Sequence, residues 1–356
     1  MKIYFFVSDM SGRGGTERTT ALLANTFVRK GHDVSIVSLI DENKDCVYEL
    51  DSKIDLVYLA TPSPNYLKTR INRLFLLLRA FIKILLNYSF KDNDSIIICQ
   101  GFLSSVFVWF SLNANRSIAC EHYKYEVYNS ALRAFRNFIY KSFMTVVVLT
   151  DNDAKRFKLH KVNAYVIPNM TSFGIKPNRV ANARRMITVG RLHPQKGYDL
   201  LLSALVSVFE RYPDWYIDIY ADGDEAYGLL LKKQVSDLNL QSNVFFKEFC
   251  TDIQKEYLNS SFYVMSSRYE GFPMSIVEAY SEGTPVICSD LGNAGSIVQE
   301  GVTGCKFKAD SIDELVEAIK RLETYENIYE TTYEEYQKKY TEAQNYETLF
   351  RIYESV

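Results

Sequence analysis

The sequence predicts an α/β protein with two domains, each built around a mostly parallel sheet. The chain of 356 residues exceeds the length over which one hydrophobic core usually grows, and short apolar runs alternate with helical patterns in two separate series. The first series opens with an apolar run at 2–8, a glycine-rich turn at 11–16, a helical pattern over 17–30 and an apolar run over 33–40. This order is typical of a parallel βαβ unit.

The later elements follow the same alternation. Further buried strands are predicted in the first domain at 95–99, 117–120 and 145–149, and in the second at 186–189, 215–220, 244–246, 262–265 and 285–288. A segment over 166–182, rich in Asn, Pro and small polar residues, predicts a linker between the two series. We expect an N-terminal domain over 1–170, a C-terminal domain over 171–335, and a helical tail over 336–356 that crosses back to the first domain.

The composition is that of an ordinary globular protein and gives no global reason to bind nucleic acid. Hydrophobic residues make up 47% and charged residues 24% of the chain, and the net charge is -2. The six cysteines form neither a C-x-x-C pair nor a Cys/His cluster, which favours a reducing compartment and predicts no metal centre. The first apolar run is too short for a signal peptide. We interpret three Asp-x-Asp triplets as turns or caps: 92–94, 151–153 and 222–224.

One segment is locally basic. Acidic residues are missing between Asp55 and Asp92, whereas cations recur there at Lys68, Arg70, Arg73, Arg79, Lys83 and Lys91. An apolar pattern over 71–86 predicts a helix in which Asn72, Arg79 and Lys83 share one side. Its two charges argue against a membrane span. We therefore weigh an in-plane helix on an anionic leaflet, or one that grips a lipid pyrophosphate, against a core helix with a solvated stripe.

The segment 266–287 carries the most specific pattern. A predicted strand ends just before it, Pro273 stands where a first helical residue would, and Gly283 ends the helix. Glu270 therefore lies beyond the carboxyl end of a strand, where ligands bind in open α/β sheets. The N–H groups near Met274 and Ser275 can hold a phosphate at the helix terminus.

Two carboxylates lie close to this anion site. Glu270 and Glu278 would repel a phosphate unless each accepted hydrogen bonds from hydroxyl groups, which a sugar provides. A second segment, 189–199, also follows a predicted strand and places Arg191 and Lys196 five residues apart, as a pair of cations able to clamp a diphosphate. A glycosyl nucleotide has both the sugar hydroxyl groups and the diphosphate that these two segments are suited to bind.

With these motifs the chain resembles the retaining glycosyltransferases of family 4, which have the GT-B fold of two Rossmann-like domains facing across a cleft. The E-x7-E motif from Glu270 to Glu278 is the most specific element of the resemblance. The other matching motifs are Gly14-Gly15-Thr16-Glu17-Arg18, Glu121-His122, Gly190-Arg191 with Lys196-Gly197, and Gly301-Val302-Thr303-Gly304. The resemblance implies an acceptor-binding N-terminal domain and a nucleotide-sugar-binding C-terminal domain.

The resemblance also implies roles for particular residues. Arg191 and Lys196 would bind the donor diphosphate, Glu278 the ribose hydroxyls and Glu270 the donor sugar, and His122 would lie near the reactive centre. The implied catalytic residues are His122, Arg191, Lys196 and Glu270. The implied donor-binding residues are Gly14, Gly15, Arg191, Lys196, Glu270, Gly271, Phe272, Pro273, Met274, Ser275 and Glu278. The basic residues Lys68, Arg70, Arg73, Arg79 and Lys83 are expected to meet the acceptor or a membrane.

The expected activity is transfer of a hexose or N-acetylhexosamine from a UDP-sugar to a lipid-linked or glycan acceptor in cell-surface polysaccharide or glycoconjugate synthesis. We expect no metal or other cofactor, and a peripheral location on the cytoplasmic face of the plasma membrane. The alternatives are a nonhydrolysing nucleotide-sugar epimerase and a noncatalytic partner subunit of a transferase. A dinucleotide-dependent dehydrogenase ranks last, because Gly12-x-Gly14-Gly15 is not G-x-G-x-x-G.

Overall fold

The computed structural model describes residues 1–12, 14–41, 46–62, 69–87, 95–111, 114–171, 184–248, 250, 252–291, 293–322 and 324–354. The chain divides into two compact units. The N-terminal unit comprises Met1–Asn169 and Glu342–Val356, and the C-terminal unit comprises Met170–Thr341. Most of the predicted linker, the cations Lys68 and Lys91 and the triplet at 92–94 lie outside the described residues.

The N-terminal unit is a parallel sheet covered by helices. Its strands are β1 (Lys2–Asp9), β2 (Asp33–Ile40), β3 (Asp55–Ala60), β4 (Ser95–Gln100), β5 (Ser117–Glu121), β6 (Thr145–Val148) and β7 (Ala164–Val166). Its first helices are α1 (Gly15–Arg29), α2 (Arg70–Asn87), α3 (Phe102–Phe110), α4 (Ser130–Tyr140) and α5 (Asp151–Leu159). Over the described residues the strand order is β3-β2-β1-β4-β5-β6-β7, and every pairing is parallel.

The C-terminal unit repeats this architecture. Its strands are β8 (Arg185–Leu192), β9 (Tyr216–Gly223), β10 (Val244–Lys247), β11 (Phe262–Met265), β12 (Val286–Ser289) and β13 (Gly304–Phe307). Its helices are α6 (Tyr198–Arg211), α7 (Glu225–Asp237), α8 (Ile253–Leu258), α9 (Met274–Ser281), α10 (Asn293–Ile297), α11 (Ile312–Leu322) and α12 (Ile328–Lys339). The described strands lie in the order β10-β9-β8-β11-β12-β13, again all parallel.

The predicted strands all form, and the strands that the sequence pattern missed lie at sheet edges. Central strands such as β4 are buried along their whole length, so they read as continuous apolar runs. The unpredicted strands β3, β7 and β13 each lie at the end of a sheet. Each is a weak strand signal for its own reason: β3 is only partly buried over most of its length, β7 has three residues, and β13 is interrupted by Lys306.

A final helix, α13 (Glu342–Glu354), belongs to the N-terminal unit although it comes from the end of the chain. Tyr346 packs edge-on against the buried Phe27 of α1, with ring centroids 4.9 Å apart. Its hydroxyl also lies 2.8 Å from His32 Nε2. At the start of α13, Glu342 forms an ion pair with Arg29 of α1. The first and last segments of the chain therefore form one core.

Candidate active site

The strand order of the C-terminal sheet defines where a ligand is expected. The order reverses between the neighbouring strands β8 and β11. The strand that follows β8 in the chain is added on one side of this pair, and the strand that follows β11 is added on the other side. The loops after the carboxyl ends of two such strands diverge and leave a crevice between them, which is the usual ligand site of open α/β sheets. The two motif segments of the sequence are those loops.

The loop after β8 is a tight, capped turn. His193 caps a 3-10 helix over Pro194–Lys196, its Nδ1 accepting a hydrogen bond from the N–H of Gln195 at 3.2 Å. Gly197 then adopts a left-handed conformation with φ of 65°. A Cβ at Gly197 would lie 2.1 Å from the carbonyl oxygen of Ser266. Only glycine fits here, so the loops after β8 and β11 are in direct contact.

This contact brings the two predicted site residues together. Lys196 Nζ lies 2.8 Å from Glu270 Oε1, and their side chains are 16% and 10% exposed. Ser267 Oγ donates to the same carboxylate oxygen at 2.7 Å. Ser266 Oγ donates to the Lys196 carbonyl oxygen at 3.0 Å. Hydrogen bonds from the two serines thus hold the cation and the carboxylate in place where the strand order of the sheet reverses.

A clamp that the sequence interpretation did not identify fixes the two loops further. The guanidinium of Arg268 donates to both carboxylate oxygens of Asp199 at 2.8 Å and to the carbonyl oxygen of Pro194 at 2.8 Å. Hydrogen bonds from Arg268 lower the pKa of Asp199. The Arg268 N–H donates to the Gln195 carbonyl oxygen at 2.7 Å, and Gln195 Nε2 donates to the Tyr269 carbonyl oxygen at 2.7 Å. Arg268 and Asp199 each lie in one of the two motif segments, but a pairing across 69 positions leaves no pattern in the sequence.

The N-terminus of α9 lies beside this pair. Pro273 is the N-cap and α9 begins at Met274, so the expectation that Pro273 would be the first helical residue is off by one position. The N–H groups at the start of a helix have no carbonyl partner within that helix, which leaves those of Met274 and Ser275 available to a ligand. Ser275 Oγ accepts a hydrogen bond of 2.8 Å from the buried Tyr263 hydroxyl, and burial raises the pKa of that phenol well above its usual range.

The other predicted residues of the C-terminal unit lie around the same strand ends. Arg191 is exposed near the end of β8, and Glu278 is partly buried on α9. Gly190 leaves room for the Lys196 side chain, because a Cβ there would lie 3.0 Å from Lys196 Cε. Asp224 of the third Asp-x-Asp triplet caps α7 by accepting from the N–H of Tyr227, as the interpretation of that triplet as a cap predicts.

The glycine loop of the N-terminal unit begins α1. Gly14 is the N-cap, and Glu17 accepts a hydrogen bond from its N–H at 3.0 Å. A Cβ on Gly14 would lie 2.6 Å from that carboxylate, so this glycine makes room for Glu17. A Cβ on Gly15 would meet nothing within 4 Å, so Gly15 presents an open backbone surface.

His122 follows β5 in the N-terminal unit, and its ring contacts Gln100. Its Nε2 lies 2.5 Å from Gln100 Oε1, and because a carbonyl oxygen accepts, this contact favours the tautomer with the proton on Nε2. Burial lowers the pKa of His122 to about 4, so the ring is neutral at pH 7. Nδ1 is buried and makes no hydrogen bond to any part of the chain that the structure describes, so its acceptor capacity is unused there.

The neighbouring Glu121 stabilises the end of β5. Its Oε2 lies 3.1 Å from Arg136 Nη1 and 3.1 Å from the Tyr140 hydroxyl, and the glutamate and arginine side chains are fully buried. Burial raises the pKa of Glu121, and the attraction of Arg136 opposes this rise. The motif Glu121-His122 therefore joins a fully buried structural carboxylate to a partly buried imidazole.

The basic helix forms as α2, and four of the predicted cations lie on it. Arg73, Arg79 and Lys83 are exposed on it. Arg70 is its first residue.

Among the described residues there is no helix long and apolar enough to cross a membrane, and no group of three or more His, Cys, Asp or Glu side chains placed to hold a metal ion.

Two family models match the chain. One is described as glycosyl transferases group 1 and matches residues 174–342. The other is described as glycosyltransferase family 4 and matches residues 13–172. The two matches adjoin within the predicted linker, so each covers one of the two units almost completely.

Relatives and solved structures agree with these matches. An uncharacterized glycosyltransferase of Haemophilus influenzae is 27% identical over 337 residues, 92% of this chain and 92% of the relative. The amylovoran biosynthesis glycosyltransferase AmsD of Erwinia amylovora is 29% identical over 316 residues, 84% of each chain. The crystal structure of HepE from Anabaena in complex with UDP and glucose covers 100% of both chains, with a TM-score of 0.74 at 19% identity. At that identity the likeness concerns the fold alone.

Proposed function

The chain belongs to the group 1 glycosyltransferases, and from that membership we propose that it moves a hexose or an N-acetylhexosamine from a UDP-sugar to a lipid-linked or glycan acceptor, with retention of anomeric configuration. Its two parallel-sheet, Rossmann-like units have the GT-B fold. The observation that carries the proposal is the pair formed by Lys196 and Glu270, 2.8 Å apart at the reversal of the C-terminal sheet.

The pair matches the two halves of a nucleotide sugar. Lys196 offers a cation to the diphosphate, and the N-terminus of α9 offers N–H groups to the same anion. Glu270 offers a carboxylate to sugar hydroxyls. In the free protein these opposite charges neutralise each other. A donor that brings both an anion and hydroxyl groups replaces that ion pair with partners for each side chain.

The donor nucleotide is proposed to be a uridine diphosphate. HepE, which has the same fold, was crystallised with UDP and glucose, and this supports a UDP-linked glucose, galactose or N-acetylated relative of either as the sugar. The relative AmsD is named for amylovoran biosynthesis, and this supports a polysaccharide or glycoconjugate product. A lipid-linked acceptor would place the reaction at the cytoplasmic face of the plasma membrane.

The proposed reaction needs no enzyme nucleophile. The bond between the anomeric carbon and the phosphate oxygen loosens, the acceptor oxygen attacks from the same face, and the leaving phosphate takes the acceptor proton. Arg191, Lys196 and the start of α9 stabilise the departing phosphate, each preorganised donor contributing about 3 kcal/mol. His122 would act as a neutral hydrogen-bond acceptor through Nδ1, because burial lowers its pKa to about 4. Neither a metal nor another cofactor is required in this proposal.

The test is a nucleotide-release assay on purified protein with a panel of UDP-, GDP- and ADP-sugars, with and without a polyprenyl-diphosphate-linked sugar as acceptor. We expect release of UDP from one UDP-sugar. Glu270→Gln should lower the rate about 10- to 100-fold, because it weakens a charged hydrogen bond to the sugar. The matched variant Glu225→Gln, at an exposed site on α7 of the same unit, should retain the rate.

The rival functions give different results in this assay. A nucleotide-sugar epimerase would convert one donor into its epimer without transfer to acceptor, which analysis of the sugar by NMR would reveal. A noncatalytic partner subunit would leave every donor intact under both conditions. Either result would overturn the proposed transferase activity.

A further inference from the structure

We propose that the outward face of α2 is a docking surface for an anionic lipid bilayer. The helix has two apolar faces instead of one. Its inner face, with Leu76, Ala80 and Ile84, is buried in the core of the N-terminal unit. Among the side chains of α2 that the structure describes, six large apolar ones on its outer face are 48% to 68% exposed, and we name these the outward stripe: Ile71, Leu74, Phe75, Leu78, Ile82 and Leu85.

The outward stripe is continuous along the helix. Its members recur every three or four residues, so they share one face over about 21 Å of helix axis. A surface helix of a globular protein normally carries polar residues on its outer face. The size and continuity of this stripe exceed the scattered apolar residues of an ordinary protein surface and mark an interaction site.

Aromatic contacts extend this surface beyond α2. The Phe81 ring meets the Phe110 ring of α3 edge-on at 5.5 Å. Trp109 contacts Phe110 at 4.9 Å and Phe138 of α4 at 6.0 Å. Phe110 and Phe138 are 50% and 61% exposed. The stripe therefore belongs to an apolar surface supported by three packed helices.

The charges on α2 match an anionic partner. At about 3.6 residues per turn, the exposed Arg79 and Lys83 lie along one side of the stripe, and Arg73 is exposed near the beginning of the helix, on the side away from the stripe. The sequence of α2 contains neither aspartate nor glutamate. A helix that lies in the plane of a bilayer buries its apolar face about 5–10 Å deep and keeps its cations at the level of the headgroups. The pattern on α2 has this form.

The same charges argue against a second copy of the chain as the occupant. In a two-fold dimer each subunit would present the same patch, which would bring the cations of one α2 near those of the other. An anionic leaflet instead offers negative charge along the whole helix. The biological role of this surface rests on the proposed function, because a lipid-linked acceptor requires the enzyme at a membrane. The residues that form the surface are separate from those of the donor site.

The test is flotation of the full-length protein with vesicles of phosphatidylcholine containing phosphatidylglycerol, compared with vesicles of phosphatidylcholine alone. We expect binding to the anionic vesicles. Leu74→Ser/Leu78→Ser should weaken it about 100-fold, roughly 10-fold for each leucine withdrawn from lipid contact. The matched control is Leu229→Ser/Leu230→Ser on α7, where the two leucines are 67% and 65% exposed, and it should bind as the unaltered protein does.

The electrostatic part is tested separately. Arg79→Gln/Lys83→Gln should weaken binding to anionic vesicles about 25-fold, roughly five-fold for each charge, whereas Lys232→Gln/Lys233→Gln on α7 should not. Failure of the unaltered protein to bind anionic vesicles would overturn the inference, as would equal binding by the α2 and α7 leucine variants. Light scattering would reveal a dimer lost in Leu74→Ser/Leu78→Ser, which without vesicle binding would assign the face to a second copy.

Nucleotide release is measured on the same preparations. Vesicle binding by a protein that releases no nucleotide from any donor would leave the docking surface intact and count against the transferase proposal. Nucleotide release by a protein that binds no vesicle would support the transferase proposal and overturn the docking surface. The two failures are therefore distinguishable.

Discussion

The protonation of His122 is set by its surroundings, and this has a consequence for stability. Burial lowers its pKa to about 4, whereas an unfolded histidine titrates near 6.5. Between these values the unfolded chain binds a proton that the folded chain does not, so the stability contributed by neutral His122 is lost as the pH falls through this window. The loss is about 2 kcal/mol after a discount for partial solvent contact.

We predict that His122→Asn removes this loss. Urea unfolding at pH 7 and at pH 4.5 should show a smaller decrease in unfolding free energy for the variant than for the unaltered protein. The control is His193→Asn, at an exposed residue whose capping role asparagine can keep, and it should leave the decrease unchanged. Equal pH dependence in His122→Asn and the unaltered protein would show that His122 is protonated in the folded state at higher pH than the structure implies.

The candidate site shows what single residues reveal in a sequence and what they do not. Glu270 and Lys196 follow predicted strands and carry chemistry that their positions explain, so the sequence alone predicts both as site residues, and the structure places them 2.8 Å apart. Arg268 and Asp199 are equally prominent in the structure, but their pairing depends on how two loops meet in space. Ser267 is one of many serines, and its role appears only through its hydrogen bond to Glu270.

At the scale of elements, the contact between the loops after β8 and β11 depends on Gly197. A Cβ there would lie 2.1 Å from the Ser266 carbonyl oxygen, so Gly197→Ala must push the loops apart and separate Lys196 from Glu270. We predict a loss of about 3 kcal/mol in unfolding free energy, from the left-handed backbone and the collision together. Nucleotide release should fall at least 10-fold, because small displacements of positioned groups are costly to catalysis.

The matched variant is Gly301→Ala in the same unit. Gly301 also has a left-handed backbone, with φ of 72°, but its nearest neighbours to a new Cβ are ring carbons of Tyr325 at an ordinary 3.6 Å. It should therefore lose only the backbone part, about 1 kcal/mol. Equal losses in the two variants, measured by denaturant unfolding, would show that the contact of Gly197 with Ser266 is unimportant.

The strands inside the two sheets were all predictable, whereas of the four edge strands only β10 was. β1, β2 and β4 are runs of apolar residues because helices cover both faces of a parallel sheet. β13 has the sequence GCKF, in which Lys306 interrupts the apolar pattern at the edge of the sheet. For α2, the sequence predicted the helix, but only the structure distinguishes its buried inner face from the outward stripe.

At the scale of the whole molecule, the sequence predicted the two units and the structure supplied their exact membership. The expected boundaries were 170/171 and 335/336, whereas the C-terminal unit comprises Met170–Thr341. The tail divides between α12 and α13, and only α13 packs into the N-terminal unit, through Tyr346 and Glu342. The expected tail over 336–356 was to cross back to the first domain as a whole, and the structure assigns its part from Glu342 onward to the N-terminal unit.

The central claim is that the C-terminal unit binds a nucleoside diphosphate through Lys196, and calorimetric titration of the protein with UDP tests it most directly. We predict that UDP binds and that Lys196→Gln weakens its binding about 10- to 100-fold, as expected for a charged hydrogen bond to the diphosphate. Lys233→Gln, which removes an exposed cation from α7 of the same unit, should bind UDP with unchanged affinity. Equal affinity in the Lys196→Gln variant and the unaltered protein, or no binding of UDP at all, would contradict the account.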